Sequence, residues 1–214
     1  LDEFPEFPRH VLEALRQPVE DGIVTISRSK GRVNFPAKFM LVAAQNPCPC
    51  GFFGNPTKNC KCSLNQILRY QRRVSGPMLD RIDIHLDVPA VKVEKLHNDE
   101  TLSEKSISIR KRVQKARDIQ TKRFSAKGGS ASGGKNQITS NSEMGNKEIK
   151  KFCELDDNSL KLLSLAVVKM NLSARSYNRT IKLARTIADL EGLNKINSTH
   201  IAQALQYRPR QEIL

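Results

Sequence analysis

Six consecutive apolar residues, Phe39-Met40-Leu41-Val42-Ala43-Ala44, constrain the fold more than any other stretch of the chain. A half-buried strand alternates apolar and polar side chains. A run without alternation suits a strand covered on both faces, as in the parallel sheet of an α/β domain. The segments around it fit that class. Pro8 to Arg16 reads as a short helix, with Val11, Leu12 and Leu15 at helical spacing. Gly22 to Lys38 reads as a hairpin, in which Ile23, Thr25 and Val33, Phe35 flank a turn on Ser29-Lys30-Gly31. A helix is predicted from about Ser63 to Val74. Ile82, Ile84, Leu86 and Val88 alternate with polar residues and predict another strand, ended by Pro89.

The C-terminal half differs in kind. A long helix is expected from about Ser103 to Phe124, with Ile107, Ile109, Val113, Ala116 and Ile119 as its apolar stripe. Ser125 to Gly145 holds five of the eleven glycines and reads as a flexible linker. Helical patterns then cover 147–153, 157–169, 173–191 and 198–207, with Gly192 closing the third. The expected fold is α/β plus all-α. Residues 1–91 form part of an α/β core with an inserted hairpin and a four-cysteine loop. Residues 92–146 form a connecting helix and linker, and 147–214 a helical bundle.

The formal net charge of +14 favours a polyanionic partner, nucleic acid before membrane. No apolar run approaches the roughly 20 residues of a membrane span, and no signal peptide is visible. Four of the five cysteines lie within fifteen residues, which suggests a reducing, cytoplasmic setting and metal or free thiols rather than a disulfide framework. His10, His85, His97 and His200 share no ligand spacing and read as structural.

Several residues carry chemistry. Asp2-Glu3 is the pair that a nucleoside triphosphatase places at the end of a core strand: the Asp holds Mg²⁺ through its water shell and the Glu polarises the attacking water. The matching phosphate loop is expected upstream, so the chain reads as the later part of a larger ATPase that is inactive alone. Gly129 to Asn136 nearly spells that loop. However, Asn136 stands where Mg²⁺ needs a hydroxyl, no buried strand delivers it, and it follows the Asp-Glu pair. Asn46, after the apolar run, can orient water or touch a γ-phosphate, although an Asn-Pro there is also an ordinary turn. Arg81 can pair with Asp80 or Asp83, or reach a neighbouring subunit's nucleotide. Arg175 stands in a helix's first turn, against the helix dipole, and so invites an anion; the alternative is a solvated surface arginine.

Cys48, Cys50, Cys60 and Cys62 could make a tetrahedral Zn²⁺ site; the alternative is four reduced cysteines in a tight loop. Arg28, Lys30, Arg32 and Lys38 lie on the hairpin with no acid between them, as phosphate-backbone binding requires. Lys58, Lys61, Arg69, Arg72 and Arg73 flank the cysteine loop, and the helix 105–123 carries eight Lys/Arg against Asp118 alone. Aromatic residues are only 5%, which argues against a base-stacking platform.

Taken together, Leu-Asp2-Glu3-Phe-Pro-Glu-Phe, Ala-Ala-Gln-Asn46-Pro-Cys-Pro-Cys-Gly, Ser-Gly-Pro-Met-Leu-Asp-Arg81-Ile-Asp and Ser-Ala-Arg175-Ser-Tyr-Asn-Arg resemble the bacterial Mg-chelatase-like AAA+ ATPases of the ComM (YifB) competence group. The order and spacing match over essentially the whole chain. The resemblance implies a truncated AAA+ P-loop core from the Walker B strand onward, followed by a helical lid. It implies Walker B at Asp2 and Glu3, sensor 1 at Asn46, an arginine finger at Arg81 and sensor 2 at Arg175. It also implies ATP and Mg²⁺ at subunit interfaces of a ring, expected to be a hexamer, with the hairpin facing the pore. The function expected is ATP-driven DNA remodelling of the helicase or branch-migration type. A magnesium-chelatase motor that remodels a protein is the alternative, and a non-enzymatic nucleic-acid-binding module a third.

Overall fold

Helices form where apolar spacing and a capping residue coincide. The computed structural model describes residues 1–29, 31–89, 104–125 and 138–209. It divides into two compact units: Leu1–Ile82 with Asp87–Ala90, and Asp83–Leu86 with Val91–Leu214.

In the first unit a 3-10 turn, Phe4–Glu6, leads into α1 (Arg9–Ala14) and α2 (Arg16–Asp21). The break between them falls at Leu15, and Pro18 has no N–H to give to the carbonyl of Ala14. Gly22 ends α2 in the left-handed region, φ 66°, where a side chain would be strained. The predicted hairpin follows as β1 (Ile23–Arg28) and β2 (Gly31–Pro36), antiparallel, with Val24 opposite Phe35 and Ile26 opposite Val33. Thr25 donates its hydroxyl to Asn34 Oδ1 across the pair at 2.9 Å. α3 (Leu64–Gln71) starts in a capping box between Ser63 and Gln66, and α4 (Gly76–Leu79) follows. Phe4, Leu12, Val74 and Met78 form the core of this unit, with Phe7, Leu15, Val19, Leu41, Leu79 and Ile82 against it.

Two predicted strands are absent. The hairpin is the only sheet among the described residues. Phe39–Ala44 is extended but unassigned, and Phe39, Met40 and Val42 are 50%, 86% and 66% exposed rather than covered on both faces. Only Leu41 of that run packs against the core. A strand exists by virtue of its neighbours, and here the segment meets one, residues 1–4. Ile82–Val88 is likewise not a strand; Ile84, Leu86 and Val88 are exposed, and His85 N–H donates to the Tyr207 carbonyl at 2.8 Å. The expected α/β character therefore appears, among the described residues, as a mixed helical structure with one small two-stranded sheet.

The second unit is helical: α5 (Ser106–Ser125), a 3-10 turn at Asn141–Glu143, α6 (Asn146–Phe152), α7 (Asp157–Lys169), α8 (Ala174–Leu190) and α9 (Ser198–Gln206). Asp156, Ser173 and Asn197 cap α7, α8 and α9, each accepting a backbone N–H of the first turn. α8 is central: Ile181, Ala184 and Ile187 pack with Leu163, Ile201 and Ala204. The stripe predicted for α5 is buried only in its later half, at Ala116; Ile107, Ile109 and Val113 are exposed. Arg123 of α5 instead reaches the fully buried Asp189 of α8, with Nη1 2.7 Å from Oδ2. Asn141 Nδ2 donates to the same carboxylate at 2.8 Å and Arg185 Nε at 3.1 Å. Arg179 of α8 pairs with Asp83. No helix among the described residues is long and apolar enough to cross a membrane.

Candidate functional site

Asp2 and Glu3 are exposed, and their backbone is fixed by the segment that carries Asn46. The Leu1 amine donates to the Val42 carbonyl at 2.7 Å, and Ala44 N–H donates to the Leu1 carbonyl at 2.9 Å. Two bonds that flank residue 43 from one residue of the neighbouring segment are the pattern of a parallel pair. Phe4 N–H then donates to the Ala44 carbonyl at 2.9 Å, and the Phe4 side chain is locked in the core. So the Asp-Glu pair and Asn46 stand at the same end of two adjacent, parallel segments. Asp2 Oδ1 accepts the N–H of Glu3 at 2.9 Å, and Glu3 adopts φ 51°, a left-handed conformation uncommon for a side-chain-bearing residue.

Tyr70, which sequence reasoning missed, lies behind this end. It is buried on α3, three residues after the buried Ile67. Burial and the negative charges of Glu6 and Glu3 push its phenol above the usual value; a hydrogen bond with the Asn46 backbone and the charge of Arg73 act the other way. Arg73 in turn pairs with Glu6. The signal available in the sequence was only that spacing of Ile67 and Tyr70, which reads as ordinary core.

Arg81 does not pair with Asp80 or Asp83. Its Nη2 engages the Glu20 carboxylate, its Nη1 donates to the Pro77 carbonyl at 2.6 Å, and its side chain is only 10% exposed. Arg175 is exposed in the first turn of α8, as predicted, within the second unit. On the hairpin, strand alternation puts Arg28 on the face of Ile26 and Val33, and Arg32 on the opposite face with Thr25 and Asn34. The side chain of Lys38 lies 3.1 Å from where a Cβ on Gly22 would sit, at the hairpin's base. Lys30 lies outside the described residues.

The four cysteines of the predicted cluster converge. The Sγ atoms of Cys48 and Cys50 are 3.4 Å apart, Cys48 and Cys60 3.7 Å, and Cys50 and Cys60 3.6 Å. With Cys62, all four sulfurs lie within 4.8 Å of one another. The loop achieves this through Gly51 and Gly54, at φ 80° and 75°, and an Asn55 side chain that accepts the N–H groups of Thr57 at 2.8 Å and Lys58 at 3.0 Å. Cys153 is separate, buried in the helical core, where desolvation pushes its thiol up to about 11.

Comparison with known proteins places the chain. The family described as magnesium chelatase, subunit ChlI, matches residues 1–96, and the C-terminal family of the same subunit matches residues 103–208. The competence protein ComM of Haemophilus influenzae is 43% identical over all 214 residues, which span 39% of that protein. The chain belongs to the magnesium-chelatase-like ComM/YifB group. YifB of Escherichia coli is 37% identical over 215 aligned residues, and the uncharacterized protein Rv2897c of Mycobacterium tuberculosis 30% over 208. The chain covers 39% of each of these relatives too.

In this ComM/YifB-group chain the four cysteines of the loop can hold a cation. A disulfide needs sulfurs about 2.05 Å apart, so these thiols are free. Ligands about 2.3 Å from a tetrahedral metal lie about 3.8 Å from one another, close to the spacing found. Backbone N–H groups of Phe52 and Lys61 hold Cys50 down at about 6, and Phe53 N–H donates to Cys48 Sγ at 3.3 Å. Cys60 goes the other way: the Cys62 N–H favours its thiolate, but desolvation and the neighbouring thiols win, pushing it up to about 12. Four sulfurs in one place cannot all be anionic without a cation to compensate them. The set can hold a soft or borderline metal ion.

Proposed function

We propose that the protein carrying this chain is an AAA+ ATPase that couples ATP hydrolysis to DNA remodelling, as a cytoplasmic ring of about six subunits. The observation that carries the reading is the parallel pairing of residues 1–4 with 42–44, which holds Asp2, Glu3 and Asn46 at one end of adjacent segments. In this reading Glu3 polarises the attacking water and Asn46 orients it. Asp2 would hold Mg²⁺, which supplies charge neutralisation at the phosphates. Arg81 serves a neighbouring subunit's nucleotide and Arg175 senses it. No Gly-Lys-Ser/Thr loop occurs in this sequence, so the chain by itself is expected not to hydrolyse ATP. The cysteine cluster is assigned to zinc, because tetrahedral all-thiolate sites favour Zn²⁺ over Mg²⁺ or Ca²⁺.

DNA is proposed as the partner on charge. No acidic residue lies between Asp21 and Asp80, while nine Lys/Arg do, including Arg28, Lys30, Arg32 and Lys38 of the hairpin. A second reading, a chelatase-type motor that remodels a protein, is favoured by the family description alone. The test uses a protein of the relatives' full length. ATP hydrolysis stimulated by DNA, declining as salt rises and lost in Glu3→Gln, is the expected result. Hydrolysis indifferent to single-stranded, duplex and branched DNA supports the protein-remodelling reading. DNA binding with no hydrolysis at all supports a non-enzymatic module.

A further inference from the structure

A cavity of about 370 Å³ opens beside the cysteine cluster, lined by Cys50, Phe52, Lys58, Asn59 and Lys61. The space is open on one side, so a group that enters it stays partly in solvent. Its chemistry is of two kinds. Phe52 offers a partly exposed aromatic face, and Lys58 and Lys61 offer two exposed ammonium groups, with the Asn59 amide between them in sequence. Lys58 Nζ rests 5.1 Å from the centroid of the Phe52 ring, so a base that stacks on this face displaces the ammonium toward its own phosphate. The walls are rigid where it matters: Cys50 and Phe52 belong to the turn whose N–H groups face the sulfurs, and Lys58 is fixed at its backbone by Asn55 Oδ1 at 3.0 Å.

An aromatic face with two flanking cations in a stretch free of acids matches one nucleotide of a single strand. The base stacks on the ring, and the phosphates on either side meet the ammonium groups. A duplex keeps its bases stacked on each other and cannot use the ring. Resting on the DNA reading above, we propose that the four-cysteine loop is a single-strand DNA contact, taking one base on Phe52 and its phosphates on Lys58 and Lys61. The low aromatic content of the chain excludes a broad stacking surface, not a pocket for one base.

The test is fluorescence anisotropy of a fluorescein-labelled oligothymidylate, and of a duplex of equal length, with a protein of the relatives' full length across a salt series. Phe52→Ala should weaken single-strand binding about tenfold and leave duplex binding unchanged, while Phe52→Tyr should retain it. Lys58→Ala with Lys61→Ala should reduce the slope of log K against log salt by about 1.4 on the single strand. Thiol-bound metal content and far-UV circular dichroism verify that each variant keeps its loop. Wild-type binding that survives both substitutions, or a loss equal on single strand and duplex, overturns the pocket and leaves the DNA reading standing. Failure of a wild-type protein of the relatives' full length to bind either DNA at low salt overturns both.

Discussion

At the scale of single residues, Arg81 shows how much a role depends on a partner. Its local sequence offers Asp80 and Asp83, but its guanidinium engages Glu20, sixty-one residues away in the chain. A part-buried, hydrogen-bonded pair of this kind holds the arginine in one orientation. For Arg81 to meet a nucleotide it must leave Glu20 or carry that contact with it. In a protein of the relatives' full length, Arg81→Ala should lower turnover about 10³-fold or more while ATP binding, read by a fluorescent analogue, persists. Glu20→Gln should keep turnover, because it loosens the competing contact without touching the finger. Unaltered turnover in Arg81→Ala would defeat the assignment. Asp2, Glu3 and Asn46 were singled out by residue type and order, and what the structure adds is the backbone pairing that brings them to one end of adjacent segments. Glu20 and Tyr70 were not: nothing local distinguishes a carboxylate that meets a distant arginine, or a tyrosine that meets a distant backbone.

At the scale of elements, the helices and the hairpin were legible, and the two predicted strands at 39–44 and 82–88 were not. Helices 64–71, 146–152, 157–169, 174–190 and 198–206 have their apolar spacing and their caps in the same short stretch of sequence. The run at 39–44 carries the composition of a covered strand, but covering comes from other segments, and among the described residues it has one neighbour. The hairpin was readable because its partner strand lies two residues away. The cysteine loop was readable in composition, and its convergence needed Gly51, Gly54 and Asn55 to turn correctly. Since metal affinity in such a loop requires thiolates, it should weaken as pH falls. We expect one zinc per chain by metal analysis, released by a strong chelator with a drop in melting temperature. Cys60→Ser should reduce the stoichiometry and Cys153→Ser should not. Equal zinc content in Cys60→Ser and wild type would remove the cluster from metal binding.

At the scale of the whole molecule, charge was legible and its arrangement was not. The surplus of +14 follows from composition, and the hairpin's basic residues look like one cluster in sequence. Strand alternation separates Arg28 from Arg32 onto opposite faces, so a single nucleic-acid strand on one face meets only part of the set. Neutralising Arg28, Lys30 and Arg32 together should therefore weaken single-strand binding and reduce its salt slope by about 1 to 2 rather than by the full contribution of every charge. A slope identical to wild type would take the hairpin out of the DNA path.

Asp189 has a mechanical meaning. One buried carboxylate receives Arg123 from α5, Asn141 from the following 3-10 turn and Arg185 from its own helix. Three arms bolted to one pin do not slide past one another. Turning α5 about its axis would strip charged hydrogen bonds in a dry interior, which is among the costlier local distortions a protein can suffer. The C-terminal end of helix α5 is thus pinned to helix α8 at a single buried carboxylate, while its first half, with Ile107, Ile109 and Val113 exposed, has no such anchor among the described residues.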